Sequence, residues 1–314
     1  MSETLLHTLA DLRPWPLAAL ARHLNRGEAE TRAQLADLQQ SGIVPLLETA
    51  DGWQMRPALA LLDAAWLQRQ CPAAAVQVLT VTDSTNNALM RETARANGDA
   101  ILAEYQSAGR GRRGRAWQSP FAGQIILSMS WHYPNPHDTA ALSIALGIAA
   151  AEALRAADYP VQLKWPNDLY LHGRKLGGIL VEASHHAHGV DIIAGIGINL
   201  LPLSGLDQPA ASLGECGTIA RNPLTAALIN AWRDAFAQHS AKRPALPARW
   251  HALDTYADRA VCLHRAHDTL CGTNRGIDEQ GRLLLETADG ISAYSEGETR
   301  LRPQLLSPST QEQP

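Results

Sequence analysis

Residues 161–200 read VQLKWPNDLYLHGRKLGGILVEASHHAHGVDIIAGIGINL, and this stretch decides the fold class. It contains strand-like segments in quick succession, VQLKW, DLYLHG, KLGGILVEA and VDIIAGIGINL, separated only by turn residues. Strands with such short connections run antiparallel, because a parallel pair needs a crossover of a dozen or more residues. The stretch therefore predicts an α+β protein with a mixed, largely antiparallel sheet and helices on one side of it.

The same region extends in both directions along the chain. Before it lie the strands VQVLTVT, DAILAEYQ and GQIILSMSW, a capped helix over 83–98 and an Ala-rich helix over about 138–157. After it lie two helices, near 223–240 and 245–256. One large central unit built on a single sheet follows from this pattern.

The two ends of the chain have different patterns. Residues 1–56 contain three helical segments, the third over 28–41, and then two short strands around Asp51-Gly52, which is the outline of a winged helix-turn-helix. Residues 258–302 contain short strands with Asp/Gly turns, which indicate a small β-barrel. The last dozen residues are polar and predict a loose tail.

Composition excludes some classes of function. The formal net charge is −4, which argues against bulk electrostatic binding to nucleic acid or to an acidic membrane. The chain has no apolar run long enough to span a membrane and no signal-peptide pattern, so we expect a cytoplasmic protein with no membrane partner.

The cysteine and histidine residues show no spacing typical of a metal site or of a disulfide framework. The four cysteines show neither C-x-x-C nor zinc-finger spacing, so we expect reduced thiols, with Cys262 and Cys271 as unbridged strand residues. The tract HHAH at 185–188 lies in a turn between two strands, and we interpret it as a solvated loop rather than a metal site. No protein-held metal is therefore expected.

The segment GRGRRGR at 109–115 matches G-x-G-x-x-G, the dinucleotide fingerprint. That interpretation fails because a loop and another strand follow instead of a helix, and no Asp or Glu occurs between Glu104 and Asp138. Four arginines in six residues instead predict a mobile loop that orders on an anion, since guanidinium groups match phosphate and carboxylate geometry. A solvated basic loop that contacts nucleic acid is the alternative.

Lysine usage favours the anion site. The chain has three lysines against 24 arginines, and Lys164 and Lys175 lie eleven residues apart in KWPNDLYLHGRK. An ammonium group is a compact point charge that suits a single oxygen on which charge develops. Together with the arginine loop, this pair predicts a site for a polyanion.

These motifs closely resemble those of the bacterial biotin protein ligase family, including its bifunctional form that also represses transcription. The matching segments are DSTN (83–86), EYQSAGRGRRGRAW (104–117), KWPNDLYL (164–171), RKLGGILVE (174–182) and GIGIN (195–199). The resemblance covers about residues 76–302 and weakens in the amino-terminal unit. It implies a class II biotin/lipoate ligase-like catalytic domain over 64–256, a winged helix-turn-helix over 1–63, an SH3-like barrel over 257–305 and a flexible tail over 306–314.

The resemblance also implies a reaction and its residues. Biotin and ATP, with Mg²⁺, give biotinyl-5′-AMP, and biotin then passes to a lysine of the biotin carboxyl carrier protein of acetyl-CoA carboxylase. The implied catalytic residues are Lys175, Arg110, Arg112 and Arg115. The implied biotin-binding residues are Ser84, Thr85, Asn86, Gln106, Arg110, Gly111, Arg112 and Lys175. The implied ATP-binding residues are Arg112, Arg113, Arg115, Trp117, Lys164, Asn167, Asp168, Asn199 and Arg302.

The remaining alternatives concern DNA and substrate. Residues 1–56 hold five arginines against seven acidic residues, a net charge of −2, whereas DNA-binding surfaces normally present several cations. Binding to operator DNA of biotin genes is therefore supported by the helix pattern and opposed by the charge. The oligomeric state, a monomer or a homodimer, is left open by the sequence. A ligand-sensing repressor with secondary ligase activity and a lipoate-type ligase are the competing functions.

Overall fold

The protein is described here by a computed structural model, which covers residues 3–56, 59–203, 210–265, 268–295 and 300–303. The predicted tail at 306–314 lies outside these residues. No helix within these ranges combines the length and apolar character needed to cross a membrane.

The amino-terminal unit contains three helices and a hairpin. Its elements are α1 (Glu3–Leu9), α2 (Leu17–His23), α3 (Glu28–Ser41), β1 (Leu46–Thr49) and β2 (Gly52–Met55). Helix α3 spans the predicted residues and ends at Ser41. The next residue, Gly42, caps it with a positive φ of 63°, which suits a glycine. Trp15 pairs with Trp53 of β2, and buried leucines from α1 pack beneath this hairpin. The arrangement agrees with the predicted winged-helix outline.

The central unit contains one mixed sheet and the helices that cover it. In chain order its elements are α4 (Ala64–Gln70), β3 (Val76–Thr82), α5 (Thr85–Arg91), β4 (Ala100–Gln106), β5 (Gln124–Tyr133), α6 (Leu142–Arg155), β6 (Gln162–Lys164), β7 (Asp168–Leu171), β8 (Arg174–His186), β9 (Gly189–Asn199), α7 (Arg221–Ala237), α8 (His239–Lys242) and α9 (Leu246–His251). Its seven strands lie in the order β3-β4-β5-β9-β8-β7-β6. Only the β3–β4 pair is parallel, so the predicted fold class is confirmed.

The two faces of this sheet have different chemistry. Alternate residues of β9, such as Ile192, Ile196 and Ile198, are buried against apolar residues of α6 and α7. The intervening residues of β9 include Asp191, Gly195 and Gly197, and they point to the opposite face. This second face, which we call the polar face, is where the predicted ligand-binding motifs meet.

Two predictions about helices are wrong. Helix α5 ends at Arg91 instead of continuing to the residue before Gly98. The Arg95 guanidinium donates to the carbonyl oxygens of Leu89, Met90 and Glu92 and so replaces the next helical turn. Helix α5 also lies on the polar face, with Leu89 against Ile193 of β9, so the helices are not all on one side of the sheet.

The carboxy-terminal unit is a five-stranded antiparallel sheet. Its strands β10 (Ala260–His264), β11 (Thr269–Ile277), β12 (Leu283–Thr287), β13 (Gly290–Tyr294) and β14 (Arg300–Pro303) lie in the order β13-β12-β11-β10-β14. Cys262 and Cys271 are opposite one another on β10 and β11, with Cα atoms 4.0 Å apart, and their sulfur atoms form a disulfide. The expectation of unbridged thiols is therefore wrong for this pair, because cross-strand register brings together residues that are nine apart in sequence.

A buried ion pair ties the connector before α4 to the sheet and to α7. Arg221 Nη1 lies 2.6 Å from Glu104 Oε2, and the two side chains are 1% and 3% exposed. Glu104 Oε1 also accepts from the Leu62 amide at 2.6 Å, and the Arg221 Nη2 donates to the Gln124 carbonyl at 2.9 Å. Burial lowers the pKa of Arg221, and the Glu104 carboxylate opposes this effect.

Candidate active site

Cross-strand register places small residues in the centre of the polar face. Gly178 of β8 pairs with Gly197 of β9, and Gly178 also pairs with Asp168 of β7. One row further along the sheet, Gly195 pairs with Ser128 of β5. These glycines leave a shallow floor on which side chains from the surrounding loops and from α5 can lie.

A bulge turns Lys175 onto this floor. The β7–β8 register shifts between Leu169, which pairs with Gly177, and Tyr170, which pairs with Lys175. Without this extra residue, Lys175 and Gly178 would point to opposite faces of the sheet, because side chains alternate along a strand. With it, Lys175 Nζ lies 2.6 Å from Asp168 Oδ1.

The segment 109–117 forms a closed hairpin. The Gly111 amide donates to the Arg115 carbonyl at 2.7 Å, and the Trp117 amide donates to the Gly109 carbonyl at 2.8 Å. A Cβ atom on Gly109 would lie only 2.6 Å from the Trp117 carbonyl oxygen, so this close approach requires glycine. The glycines thus allow strand-like closure of this segment, and its predicted ordering on an anion stays a prediction. Arg113 lies at the tip with a positive φ of 60°.

The hairpin brings the Trp117 indole down onto the glycine floor. A Cβ atom on Gly197 would lie 2.5 Å from Trp117 Cε2, so only glycine leaves space for the ring. Trp117 Nε1 donates to Gln124 Oε1 at 3.1 Å, and the Gln124 side chain donates to Asn199 Oδ1 at 2.8 Å. Lys175 Nζ lies 5.9 Å from the centre of the Trp117 ring. A flat aromatic face thus lies next to an ammonium group.

Two arginines of the hairpin reach polar partners around the floor. Arg110 Nη2 lies 3.0 Å from Glu182 Oε2 and donates to Asn87 Oδ1 at 2.6 Å. Arg112 Nη1 donates to Asn167 Oδ1 at 3.1 Å.

The two ion pairs of the site, Arg110–Glu182 and Lys175–Asp168, are part-exposed. Such pairs contribute only about 1 kcal/mol or less to stability, so an incoming anion can replace the carboxylate partner.

Buried polar groups line the other end of the floor, beside α5. Gln106 Oε1 accepts from the Thr85 amide at 2.8 Å, and Ser128 Oγ lies 2.7 Å from Thr85 Oγ1 and 2.5 Å from Asn86 Oδ1. Ser84 is the residue before α5 and is also buried. These residues carry hydroxyl and amide groups without a formal charge, which suits a neutral polar ligand group.

A second cationic group lies at the β6–β7 edge of the same sheet. Lys164 Nζ donates to the Tyr170 hydroxyl at 2.9 Å. Burial lowers the pKa of Lys164, Asp168 opposes this, and the nearby Arg302 and Arg115 add to the lowering. Burial of the Tyr170 hydroxyl raises its pKa to about 12, and Asp168 adds to this effect. Arg302, on β14, therefore lies close enough to affect the charges of Lys164 and Tyr170 at this edge.

Besides Gln124, which joins Trp117 to Asn199, sequence analysis missed three further contributors to the site. Glu182 holds both Arg110 and Asn86, Asn87 holds Arg110, and Ser128 joins Thr85 to Asn86. Glu182 was detectable in principle, since it lies four residues beyond Gly178 on the same strand face. The other two depend on contacts between elements that sequence spacing does not show.

Two protein families match this chain, one in the central unit and one in the carboxy-terminal unit. Residues 75–199 match the Biotin/lipoate A/B protein ligase family, and residues 258–302 match the Biotin protein ligase C terminal domain. The first match contains the hairpin, the glycine floor and Lys175. The second contains most of the five-stranded carboxy-terminal sheet.

Individual relatives cover nearly the whole chain. It is 39% identical over 311 residues to the bifunctional ligase/repressor BirA of Salmonella typhimurium, covering 95% of this chain and 97% of that protein. It is 38% identical over 295 residues to BirA of Escherichia coli, covering 90% and 91%. A biotin protein ligase from Aquifex aeolicus, solved in complex with biotin and ATP, superposes with a TM-score of 0.64 and 27% identity, over 73% of this chain and 99% of that one.

Proposed function

The chain belongs to the bacterial biotin protein ligase family, of the bifunctional ligase/repressor type, and from this we propose how its own residues activate and transfer biotin. The observation that carries the proposal is the meeting of Lys175, the arginine hairpin and Trp117 over one glycine floor. Biotin and ATP are the substrates, and both reacting groups are anions. A site that joins them must neutralise charge and fix their relative position.

In the first step the biotin carboxylate attacks the α-phosphate of ATP. A carboxylate–phosphate bond forms, the bond to the β-phosphate breaks, and pyrophosphate leaves with the electron pair, which gives biotinyl-5′-AMP. We assign Lys175 to the oxygens shared by carboxylate and α-phosphate, since its ammonium group lies beside Trp117 at the centre of the floor. Arg110, Arg112 and Arg115 neutralise the remaining phosphate charge.

The two ends of the floor suit the two substrates. The neutral side chains of Ser84, Thr85, Asn86 and Gln106 provide donors and acceptors for the ureido head of biotin. At the other end we assign the Trp117 indole to the adenine face, with Asn199 beside it. Gly111 of the hairpin is assigned to biotin. Further residues assigned to ATP, at the hairpin tip and at the β6–β7 edge, are Arg113, Lys164, Asn167, Asp168 and Arg302.

The carboxylates of the site limit how Mg²⁺ can bind. Asp168 is paired with Lys175, and Glu182 is paired with Arg110 and Asn86. Mg²⁺ is commonly bound through substrate phosphates, with only one or two protein carboxylates. We therefore propose that Mg²⁺ arrives on the ATP phosphates, where it would neutralise charge on the leaving pyrophosphate.

In the second step the amine of an acceptor lysine attacks the adenylate carbonyl. An amide bond forms, the bond to phosphate breaks, and AMP leaves. We propose the biotin carboxyl carrier protein of acetyl-CoA carboxylase as acceptor and a cytoplasmic site of action. Whether one chain or a homodimer does this stays a prediction.

The proposed activity predicts a specific product. Purified protein incubated with ATP, Mg²⁺ and biotin should form biotinyl-5′-AMP, detected by mass spectrometry, whereas lipoate should give no acyl-adenylate and removal of Mg²⁺ with EDTA should abolish the product. Formation of lipoyl-AMP in preference to biotinyl-AMP would show a lipoate-type ligase instead.

A second function, repression, is favoured by the three helices and hairpin ahead of the catalytic unit. Helix α3 carries Glu28, Glu30 and Asp37 with only one arginine, so phosphate contacts from it are few. The unit could still read operator DNA as a dimer of two half-sites. We propose weak, ligand-dependent operator binding, since the family includes ligase/repressors.

A gel-shift experiment tests repression directly. With biotin and ATP present, the protein should shift DNA from its own biotin-gene promoter at low salt, and the shift should weaken only gradually with salt because few cations contact phosphate. A shift with an unrelated DNA of equal length would indicate non-specific binding, and no shift at low salt would refute repression.

A further inference from the structure

The polar face of the sheet carries a second cluster, beyond the ligand site. In the β5–β9 register His132 is opposite Asp191, and in the β8–β9 register Asp191 is opposite Ser184. His186 lies two residues beyond Ser184, so it points to the same face. Three neighbouring strands therefore present His132, Asp191 and His186 together, about 13 Å along β8 from Glu182.

The side-chain atoms of this cluster converge. Asp191 Oδ1 lies 2.8 Å from His132 Nδ1, and Asp191 Oδ2 lies 3.3 Å from His186 Nε2. The two imidazole rings are nearly parallel, with 4° between their planes and 6.5 Å between their centres. The three candidate ligand atoms all lie within 4.8 Å of one another.

From this geometry we propose that His132, His186 and Asp191 bind a divalent ion of the zinc class. A tetrahedral zinc ion holds its ligand atoms about 2.1 Å from the metal, hence about 3.4 Å apart, which small side-chain rotations can reach from the present separations. Two imidazoles and one carboxylate favour zinc, cobalt, nickel or copper over Mg²⁺. The tract HHAH thus contributes one ligand, contrary to its interpretation as a solvated loop.

Two neighbouring residues, Asn97 and Arg95, contact this cluster. The His132 amide donates to Asn97 Oδ1 at 2.7 Å, which holds this strand residue in place. Arg95 Nη2 lies 3.4 Å from Asp191 Oδ2 and orients the carboxylate, although its positive charge also weakens cation binding. We therefore expect lower affinity than at a closed four-ligand site.

The cluster is accessible and has an open side. The side chains of His132, His186 and Asp191 are 40%, 43% and 33% exposed. A cleft of about 120 Å³, lined by His132, Asp191, Arg95 and Asn97, lies beside them and has room for water at a fourth coordination position. The site is separate from the groups assigned to biotin and ATP.

Metal titration of the tag-free, full-length chain tests the proposal. After treatment with a chelating resin, calorimetry with Zn²⁺ should show one ion per chain, and Co²⁺ should develop the visible absorption of a low-coordinate site. His132→Asn and His186→Asn should each lower Zn²⁺ affinity by more than about 100-fold. This loss is larger than that expected from removing a residue that only orients a metal ligand. The matched control His185→Asn, on the same hairpin but the opposite strand face, should bind as the unmodified chain does.

The thiol of Cys216 is a second candidate zinc ligand and is tested with a separate variant. The exposed Cys216 has its thiol 3.9 Å from His172 Nε2, so Zn²⁺ could bind there instead. Cys216→Ser should retain the one-ion binding. The proposal is overturned if the unmodified chain binds no Zn²⁺, if Cys216→Ser abolishes binding, or if His185→Asn loses as much affinity as His186→Asn.

Discussion

Lys175→Ala is expected to lower kcat/KM for biotinyl-5′-AMP formation by about 100- to 1,000-fold, the usual cost of removing a group that stabilises developing charge. The ammonium group lies at the centre of the floor and pairs with Asp168 in a part-exposed ion pair, so it can move to a substrate oxygen. Its removal leaves the carboxylate and the α-phosphate to approach without a shared cation. Pyrophosphate release, measured under saturating biotin, gives the rate.

The matched control for this prediction is Lys242→Ala. Lys242 is exposed at the end of the short helix α8, and nothing assigns it to the site. Both variants should keep the thermal midpoint of the unmodified protein, since neither lysine is part of a fully buried pair. Equal activity of Lys175→Ala and Lys242→Ala would show that the chemistry lies elsewhere.

Arg221→Met is expected to lower the free energy of unfolding by about 3–5 kcal/mol, because it leaves the Glu104 carboxylate buried without its partner. The pair is almost fully shielded from water, and Arg221 also donates to the carbonyl groups of Gln124 and Ala60. Urea denaturation followed by circular dichroism measures the change. Replacing both members, in Arg221→Met with Glu104→Gln, should recover part of the loss, since no buried charge then remains.

Arg249→Met is the matched control for the buried pair. Arg249 Nη2 lies 2.6 Å from Glu152 Oε2, the same distance as in the buried pair, but the side chains are 31% and 46% exposed. Its loss should cost about 1 kcal/mol or less, because solvent screens an exposed pair. A similar cost for Arg221→Met and Arg249→Met would contradict the assigned role of burial.

The sequence was sufficient for the parts of the fold that depend on local pattern. Closely spaced strands between 161 and 200 predicted an antiparallel sheet, and the helical pattern over 28–41 predicted α3. The early end of α5 could not be predicted in this way, because the Arg95 side chain replaces the next helical turn through contacts that composition does not reveal. The Cys262–Cys271 disulfide likewise depends on strand register.

In the candidate site, too, some residues could be predicted from local motifs and others could not. Residues in distinctive motifs, such as Lys175, Trp117 and Arg112, were singled out from sequence as candidates, and their roles stay predictions. The bulge that turns Lys175 onto the polar face was not visible in the sequence. Glu182 was missed because its importance comes from two contacts, with Asn86 and with Arg110, made by distant segments. Contacts across the sheet, rather than residue type, determine which polar residues belong to the site.

A crystal structure of this chain with biotin and Mg·ATP, or with biotinyl-5′-AMP, tests the central claim most directly. We predict that the biotin carboxylate and the α-phosphate lie between the 109–117 hairpin and Lys175, with Lys175 Nζ moved from Asp168 onto their oxygens. A structure that placed both ligands away from the hairpin, with Lys175 directed into solvent, would contradict the proposed mechanism.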